Sequence, residues 1–326
     1  MTSRLAVIGS GNIAPYHIKS AIKAGFQISC ISASEGSTSA YKLSKDFEIP
    51  MYFTTTAELI ESQEFDAIAV AISPIETKKI LNSLVATGKP VLIEKPVVLN
   101  SQDLINFVRN QNIYVGYNRR FYLSIEKIKL SHFESAGYFS FMISEIMNDS
   151  KISLNKVRDS IRLNTVHILD LIGYLLGPFD LRDFIYTQTN SMLSARIYSQ
   201  STYIGEMKIS FNSRKNSAIF FENKEINAIC KPIENLKIYN SFEIREPTSK
   251  QQIRKYVPTW DGDANGLVIE ESAIEKPGFQ SMYKEFFRVV EDNDNKSTLA
   301  NLQDALCALQ KAEQIIDVYS KSIDFL

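Results

Sequence analysis

Cysteine is scarce in this chain. Its three residues, Cys30, Cys230 and Cys307, are odd in number and far apart. That spacing excludes a disulfide framework and a CxxC metal site, and it fits a reducing compartment, so a cytoplasmic protein is expected. Histidine is equally sparse, with three residues. No His/Cys/Asp/Glu cluster has ligand spacing, so no catalytic metal is expected. Long apolar runs are missing too. No stretch approaches the ~18 residues of a membrane span. Leu5–Ile8 is too short for the apolar region of a signal peptide. An excess of one charge is absent as well: 36 basic residues face 37 acidic ones, a net charge of −1. A nucleic-acid or anionic-membrane partner would favour a basic surface, so neither is expected. No internal repeat or low-complexity tail is visible.

What is present is an ordinary globular composition, 44% hydrophobic and 22% charged over 326 residues. That length suggests two domains. Up to about residue 117, strand and helix patterns alternate, which is the signature of a parallel sheet. Strands are expected at Leu5–Ile8, Phe26–Ile31, Ile49–Tyr52, Phe65–Ile72, Val91–Ile93 and Ile113–Tyr117. Helices are expected at Ala14–Ala24, Ser39–Phe47, from Pro74 to Thr87, and at Ser101–Arg109. After that the pattern changes. A helix at Ser124–Phe133 and a strand at Tyr138–Glu145 precede a polar stretch, Asn148–Ser160, that reads as a loop. An apolar helix, Ile161–Leu176, ends at Gly177-Pro178. Several β-rich runs follow to about Glu246, then an irregular segment over 247–277. Two helices, Gln280–Glu291 and Thr298–Ser320, finish the chain. The expected fold class is α/β. A doubly wound parallel sheet of the Rossmann type over 1–117 would bind a dinucleotide. An α+β domain over 118–326, with a large, mostly antiparallel sheet, would bind substrate and oligomerise.

Gly9-Ser10-Gly11-Asn12-Ile13-Ala14 follows the first strand and opens the first helix. This is G-x-G-x-x-A in the context that gives the motif its meaning. Gly9 permits a tight turn, Gly11 lets a pyrophosphate approach the backbone, and Ala14 allows close helix–sheet packing. The helix N-terminus attracts the phosphates. Gly9, Gly11, Asn12 and Ile13 are therefore cofactor-binding candidates. The end of the second strand normally carries an acid for the ribose 2′-hydroxyl of NAD. Here Ser32 stands at that position, with Ser34 and Glu35 just beyond. The small hydroxyls leave room for a 2′-phosphate, but no arginine stands there to bind one. NAD and NADP both remain open, with a slight lean to NADP.

A second feature is Val91-Leu92-Ile93-Glu94-Lys95-Pro96. A buried strand delivers Glu94 and Lys95 and is stopped by Pro96, which lacks a backbone N–H. Ligands of open parallel sheets bind just outside the carboxyl ends of strands. An ammonium fixed there is a candidate proton donor or acceptor.

With these pieces placed, the chain resembles the glucose-fructose oxidoreductase / inositol dehydrogenase (Gfo/Idh/MocA) family over nearly its whole length. The resemblance rests on the glycine turn with His17 on the next helix, and on Asp66-Ala67-Ile68-Ala69-Val70-Ala71-Ile72-Ser73-Pro74. It continues through Gly88-Lys89-Pro90 to Lys95-Pro96, Val115-Gly116-Tyr117-Asn118-Arg119-Arg120-Phe121, and His167-Ile168-Leu169-Asp170. It implies an NAD(P)-dependent oxidoreductase that transfers hydride between nicotinamide and a sugar, polyol or sugar nucleotide. It also implies a homodimer or homotetramer built through sheet faces, and a cis Lys95–Pro96 peptide. The nicotinamide would lie near Ser73, Pro74 and Glu94. Lys95 matches the family lysine that moves the proton of the reacting hydroxyl, and His167 matches the histidine that points at the substrate. One departure stands out. Leu163 occupies the position, four residues before His167, where relatives often carry an aspartate. Asn164 lies on a similar face and is the candidate substitute, although an amide cannot act as a carboxylate base. Tyr117, Asn118, Arg120, Arg162 and Asp170 are candidate substrate-binding groups, and the arginines favour an anionic substrate. Any one arginine reads more readily as a structural ion pair, and Asp170 equally as a helix ion pair. His17 reads as structural. The rival reading, suggested by Leu163, is a non-catalytic relative that binds dinucleotide as a sensor or scaffold.

Overall fold

The computed structural model describes residues 3–33, 37–131, 137–147, 153–187, 191–199, 204–261, 263, 266–270, 276–292 and 296–324. The chain divides into two compact units, Met1–Phe121 with Ala273–Glu313, and Tyr122–Ser272 with Gln314–Leu326.

The first unit opens with β1 (Arg4–Ile8), α1 (Ala14–Ala24), β2 (Gln27–Ser32), α2 (Ser39–Asp46), β3 (Met51–Phe53) and α3 (Thr56–Ser62). β4 (Ala67–Val70), α4 (Pro74–Ala86), β5 (Val91–Ile93) and β6 (Ile113–Val115) follow. Every residue of β4 and β5 is buried. Such uninterrupted apolar strands belong to a parallel sheet covered on both faces. α1 stops at Gly25, whose φ of 112° in the left-handed region returns two amide donors to the last helical carbonyls. α3 is a short helix held by a capping box between Thr55 and Glu58.

The second unit holds α5 (Leu123–Ser131), β7 (Gly137–Glu145), α6 (Leu154–Ser160), a π-helical turn at Ile161–Thr165 and α7 (Val166–Leu176). Its later strands are β8 (Phe179–Thr187), β9 (Met192–Ser199), β10 (Ile204–Phe211), β11 (Ala218–Asn223), β12 (Asn227–Cys230) and β13 (Asn235–Tyr239). β14 (Ser241–Arg245) and β15 (Lys255–Thr259) form a separate two-stranded sheet, and β16 (Leu267–Glu270) rejoins the large one. The chain then continues with α8 (Phe279–Asp292), β17 (Ala300–Asn301) and α9 (Leu302–Asp324).

The first unit's sheet runs β17-β6-β5-β4-β1-β2-β3. Leaving β17 aside, this is the strand order of dinucleotide-binding sheets, with its crevice where the order reverses beside β1. β17 pairs antiparallel with β6. The second unit's sheet runs β16-β13-β12-β11-β7-β10-β9-β8 and is antiparallel except between β7 and β10. Strands such as β7 and β9 alternate buried and exposed residues. One face therefore carries the core, including Phe139, Phe141 and Phe221.

The fold class is therefore the expected one, and four local expectations differ. Ser101–Arg109 holds only a 3₁₀ turn at Ser101–Asp103, capped by Asn100. The turn is tied down by Glu313, which accepts bonds from the Ser101 amide and hydroxyl. Part of the expected loop at 148–160 is α6, started by the Ser153 side chain accepting from the Lys156 amide. The stretch read as irregular holds β15 and β16. Finally, α8 and β17 belong to the first unit rather than continuing the second. Met282, Tyr283 and Phe286 of α8 share a core with Ile18 and Ala21 of α1.

Candidate active site

The glycine turn shows two different needs for glycine. Gly9 has φ of 112°, and a Cβ there would meet the Ala71 carbonyl oxygen at 2.3 Å. The protein itself demands glycine at this point. At Gly11 a Cβ would meet nothing within 4 Å. No protein packing explains Gly11, whereas a phosphate lying on the turn would. α1 begins with no side-chain cap and no acidic residue in its first turn. Its N-terminal partial positive charge is left without a carboxylate partner there, as an anion site needs. Asn12 is exposed and Ile13 half-buried beside it.

At the end of β2 the Ser32 hydroxyl is buried without a hydrogen-bond partner. Its carbonyl accepts from the Gly9 amide at 2.9 Å. An orphan hydroxyl next to the phosphate turn fits a site meant to receive further polar groups. Ser34, the other candidate there, lies outside the described residues, as does Glu35. Ser73 is engaged as the N-cap of α4: its hydroxyl accepts from the Glu76 amide at 3.3 Å, and Pro74 takes the helix's first turn. Lys78, on the same helix, pairs with Asp103 at 2.8 Å.

β5 ends at Glu94 and Lys95, and the Lys95–Pro96 peptide is cis. Lys95 is half-buried. The Glu94 side chain is 13% exposed and has polar contacts on both carboxylate oxygens. Its Oε1 lies 3.0 Å from His17 Nε2, and its Oε2 accepts from the Lys95 amide at 3.0 Å. Burial alone would raise its pKa. The His17 hydrogen bond, the charge His17 carries when protonated, and the charges of Lys95 and Lys276 outweigh that and hold the carboxyl below its ordinary value.

Three expected substrate groups of this unit are structurally committed. The buried Arg120 guanidinium pairs with Asp304 at 3.2 Å and donates to the Thr298 carbonyl at 3.5 Å. These contacts favour the alternative role, a structural ion pair that ties this segment to α9 and to the residues before β17. Asn118 donates to the Pro277 carbonyl at 2.9 Å. Tyr117 is 1% exposed.

In the second unit, His167 and Asp170 are both buried on α7, and Leu163 is 41% exposed. Arg162 is half-buried with its Nε enclosed and unpartnered. Asn164, the candidate substitute for the missing aspartate, has a partner within its own unit. Its amide donates at 3.2 Å to Glu145 Oε2, a carboxylate that sequence reasoning missed. Glu145 also accepts from the hydroxyls of Ser160 and Thr165. It is 1% exposed, the last inward-facing residue of β7 after Phe139, Phe141 and Ile143. The signal was present: strict alternation places an acid on the core face, which is rare without a partner. Spacing arguments along Leu163, Asn164 and His167 assumed α geometry, and the π turn breaks that spacing.

A doubly wound sheet with a glycine turn at its first crossover, joined in one chain to a mainly antiparallel α+β unit, defines a two-unit α/β fold whose first unit has the topology of dinucleotide-binding sheets. Residues 3–112 match the Gfo/Idh/MocA profile, described as "Oxidoreductase family, NAD-binding Rossmann fold", the family that the motifs of this chain resemble. The chain is 25% identical over 210 residues to inositol 2-dehydrogenase 1 of Saccharopolyspora erythraea, a match over 60% of this chain and 61% of that relative. In fold it is similar to a UDP-N-acetylglucosamine 3-dehydrogenase from Acidithiobacillus ferrooxidans (TM-score 0.72, 16% identity, 96% of both chains). It is also similar to a levoglucosan dehydrogenase solved with NADH (TM-score 0.73, 12% identity, 98% of both chains). No helix among the described residues is long and apolar enough to cross a membrane.

Proposed function

We propose that the protein is an NAD(P)-dependent oxidoreductase acting on a CH–OH group or carbonyl of a sugar, polyol or sugar nucleotide. The observation that carries this reading is the first unit itself. A family-matched dinucleotide sheet carries a glycine its own packing does not require, and a half-buried lysine stands at the carboxyl end of β5. The named activities of the relatives support the substrate class. Gly9, Gly11, Asn12 and Ile13 would hold the pyrophosphate, and Ser32 the adenosine ribose. Ser73, Pro74 and Glu94 would line the nicotinamide end. When bound, the nicotinamide supplies or accepts the hydride. Lys95 would bind the reacting oxygen and give it, or take from it, the proton at Nζ. In the second unit, His167 would serve as a substrate-facing proton acceptor, with Arg162 and Asp170 as binding groups. The small residues at the end of β2 favour NADP over NAD.

The test is direct. Purified protein should bind NADPH or NADH, read by fluorescence, and turn over at least one sugar or sugar nucleotide. Lys95→Met should lower kcat by about 10²–10⁴-fold with cofactor affinity retained. Absence of binding to either dinucleotide would overturn the reading. Tight binding without turnover of any such substrate would leave the sensor role instead.

A further inference from the structure

His17 reads in the sequence as a structural residue of α1. In the structure it joins three elements. Its Nδ1 lies 2.7 Å from the Tyr283 hydroxyl of α8, and its Nε2 lies 3.0 Å from Glu94 Oε1 at the end of β5. The ring is 1% exposed and is held edge-on by Phe279, with centroids 5.2 Å apart. Proton positions follow from the donor inventory. An ionised carboxylate only accepts, so Nε2 must carry the proton it donates to Glu94. With the ring in its neutral form, the lone pair is at Nδ1, which accepts from Tyr283. That tyrosine can donate because burial, and secondarily the Glu94 charge, keep its hydroxyl protonated far above the ordinary range. The chain therefore runs in one direction, from the tyrosine through the imidazole to the carboxylate.

Among the described residues, the titratable groups shown acting on Glu94 come from four places in the chain. They are His17 from α1, Tyr283 from α8, Lys95 beside it in the chain, and Lys276 from the segment before α8. Lys276 sits over the rings of Tyr16 and Phe279, at 5.3 and 4.7 Å from their centroids.

We propose that Tyr283 and His17 form a directed hydrogen-bond chain that anchors the Glu94 carboxylate beside Lys95, making His17 a positioning residue for the lysine amine. The proposal rests on the proton-transfer role given to Lys95, and it extends that role to two residues given no contact with substrate or cofactor in that reading. Without the His17 donor, only Lys95 and Lys276 oppose the burial of Glu94, and the carboxyl takes up a proton at higher pH. Lys95 then loses its adjacent negative charge and releases its own proton at lower pH.

Two measurements separate this from the reading it rests on. The first uses the full-length protein without cofactor. Long-range ¹H–¹⁵N NMR of its three histidines should show His17 protonated at Nε2, with the Nδ1 signal displaced in Tyr283→Phe. A His17 protonated at Nδ1, or a Tyr283→Phe spectrum identical to wild type, overturns the chain. The second is the pH profile of kcat/KM. His17→Ala should move the limb due to Lys95 toward acid by about one pH unit, and His17→Gln, which keeps a donor near the Nε2 position, should restore most of it. Lower activity with an unmoved limb in both His17→Ala and Tyr283→Phe overturns the positioning role. If Lys95→Met keeps the wild-type rate and limb, the function assigned to Lys95 fails instead, whatever the NMR shows. Tyr283→Phe removes a single oxygen, so the question stays answerable even if His17→Ala does not fold.

Discussion

At the scale of single residues, the two glycines of the first turn make opposite predictions. Gly9→Ala should destabilise the protein by about 1–3 kcal/mol, because its φ of 112° strains an alanine and the Ala71 carbonyl blocks the new methyl. Gly11→Ala should leave stability within about 0.5 kcal/mol of wild type, since the methyl meets no protein atom. Its effect should appear as at least a tenfold loss of dinucleotide affinity. Urea denaturation and a binding titration on the same two variants check both statements. The motif was legible in the sequence because a glycine turn between a strand and a helix is a local pattern. The difference between its two glycines was not, because the Ala71 carbonyl reaches Gly9 from β4's end, more than sixty residues away. Arg120 has the same lesson. A lone arginine is ambiguous in sequence, and only its enclosure by Asp304 and Thr298 shows a structural role.

At the scale of elements, the helical passage from Leu154 to Leu176 departs most from its expected form. One continuous helix was expected from Ile161, whereas α6, a π turn and α7 follow one another. π turns survive where surrounding structure fixes them. Here Glu145 does so from β7, gathering Ser160, Asn164 and Thr165 around one carboxylate. Replacing it with an isosteric apolar residue strands those donors. Glu145→Leu should therefore cost about 1–3 kcal/mol of stability. The check is a chemical-denaturation midpoint, together with the loss of a fixed Asn164 amide pair in NMR. An unchanged midpoint would show that the carboxylate does not hold the turn. Alternation along β7 could flag Glu145 as a buried acid, but hydrophobic periodicity could not reveal the π turn, because the partners that fix it come from another element.

At the scale of the whole molecule, titrating groups bracket the pH range of stability. Asp66, Glu94 and Glu285 all have lowered pKa values in the folded state. For Asp66 burial is opposed by Arg4, and for Glu285 by Arg288, Ser297 and Thr298. A lowered folded value means the contribution is complete above the unfolded carboxylate pKa of about 4 and is lost as pH falls through the folded one. On the alkaline side, burial raises Cys30 to about 11, Cys230 to about 12 and Tyr283 well above its ordinary value. Raised values contribute below the unfolded pKa, about 8.5 for a thiol, and are lost as pH rises. Thermal unfolding followed across pH should therefore show a plateau between about pH 5 and 8.5 with losses on both sides. A protein whose Tm climbed steadily from pH 5 to pH 3 would contradict this account.

The sequence by itself determined the alternating strands and helices of the first unit, the dinucleotide turn, the position of Lys95 at a strand end, and the family these motifs resemble. Each is written in a short window, where apolar periodicity, glycine and proline act on their immediate neighbours. The tertiary structure alone decided the return of α8 and β17 to the first unit, the engagement of Arg120, the Glu145 clamp on the π turn, and the Tyr283–His17–Glu94 chain. The reason is physical. A buried polar group is satisfied by whichever partner the fold brings within about 3 Å, and for His17 that partner lies 266 residues along the chain.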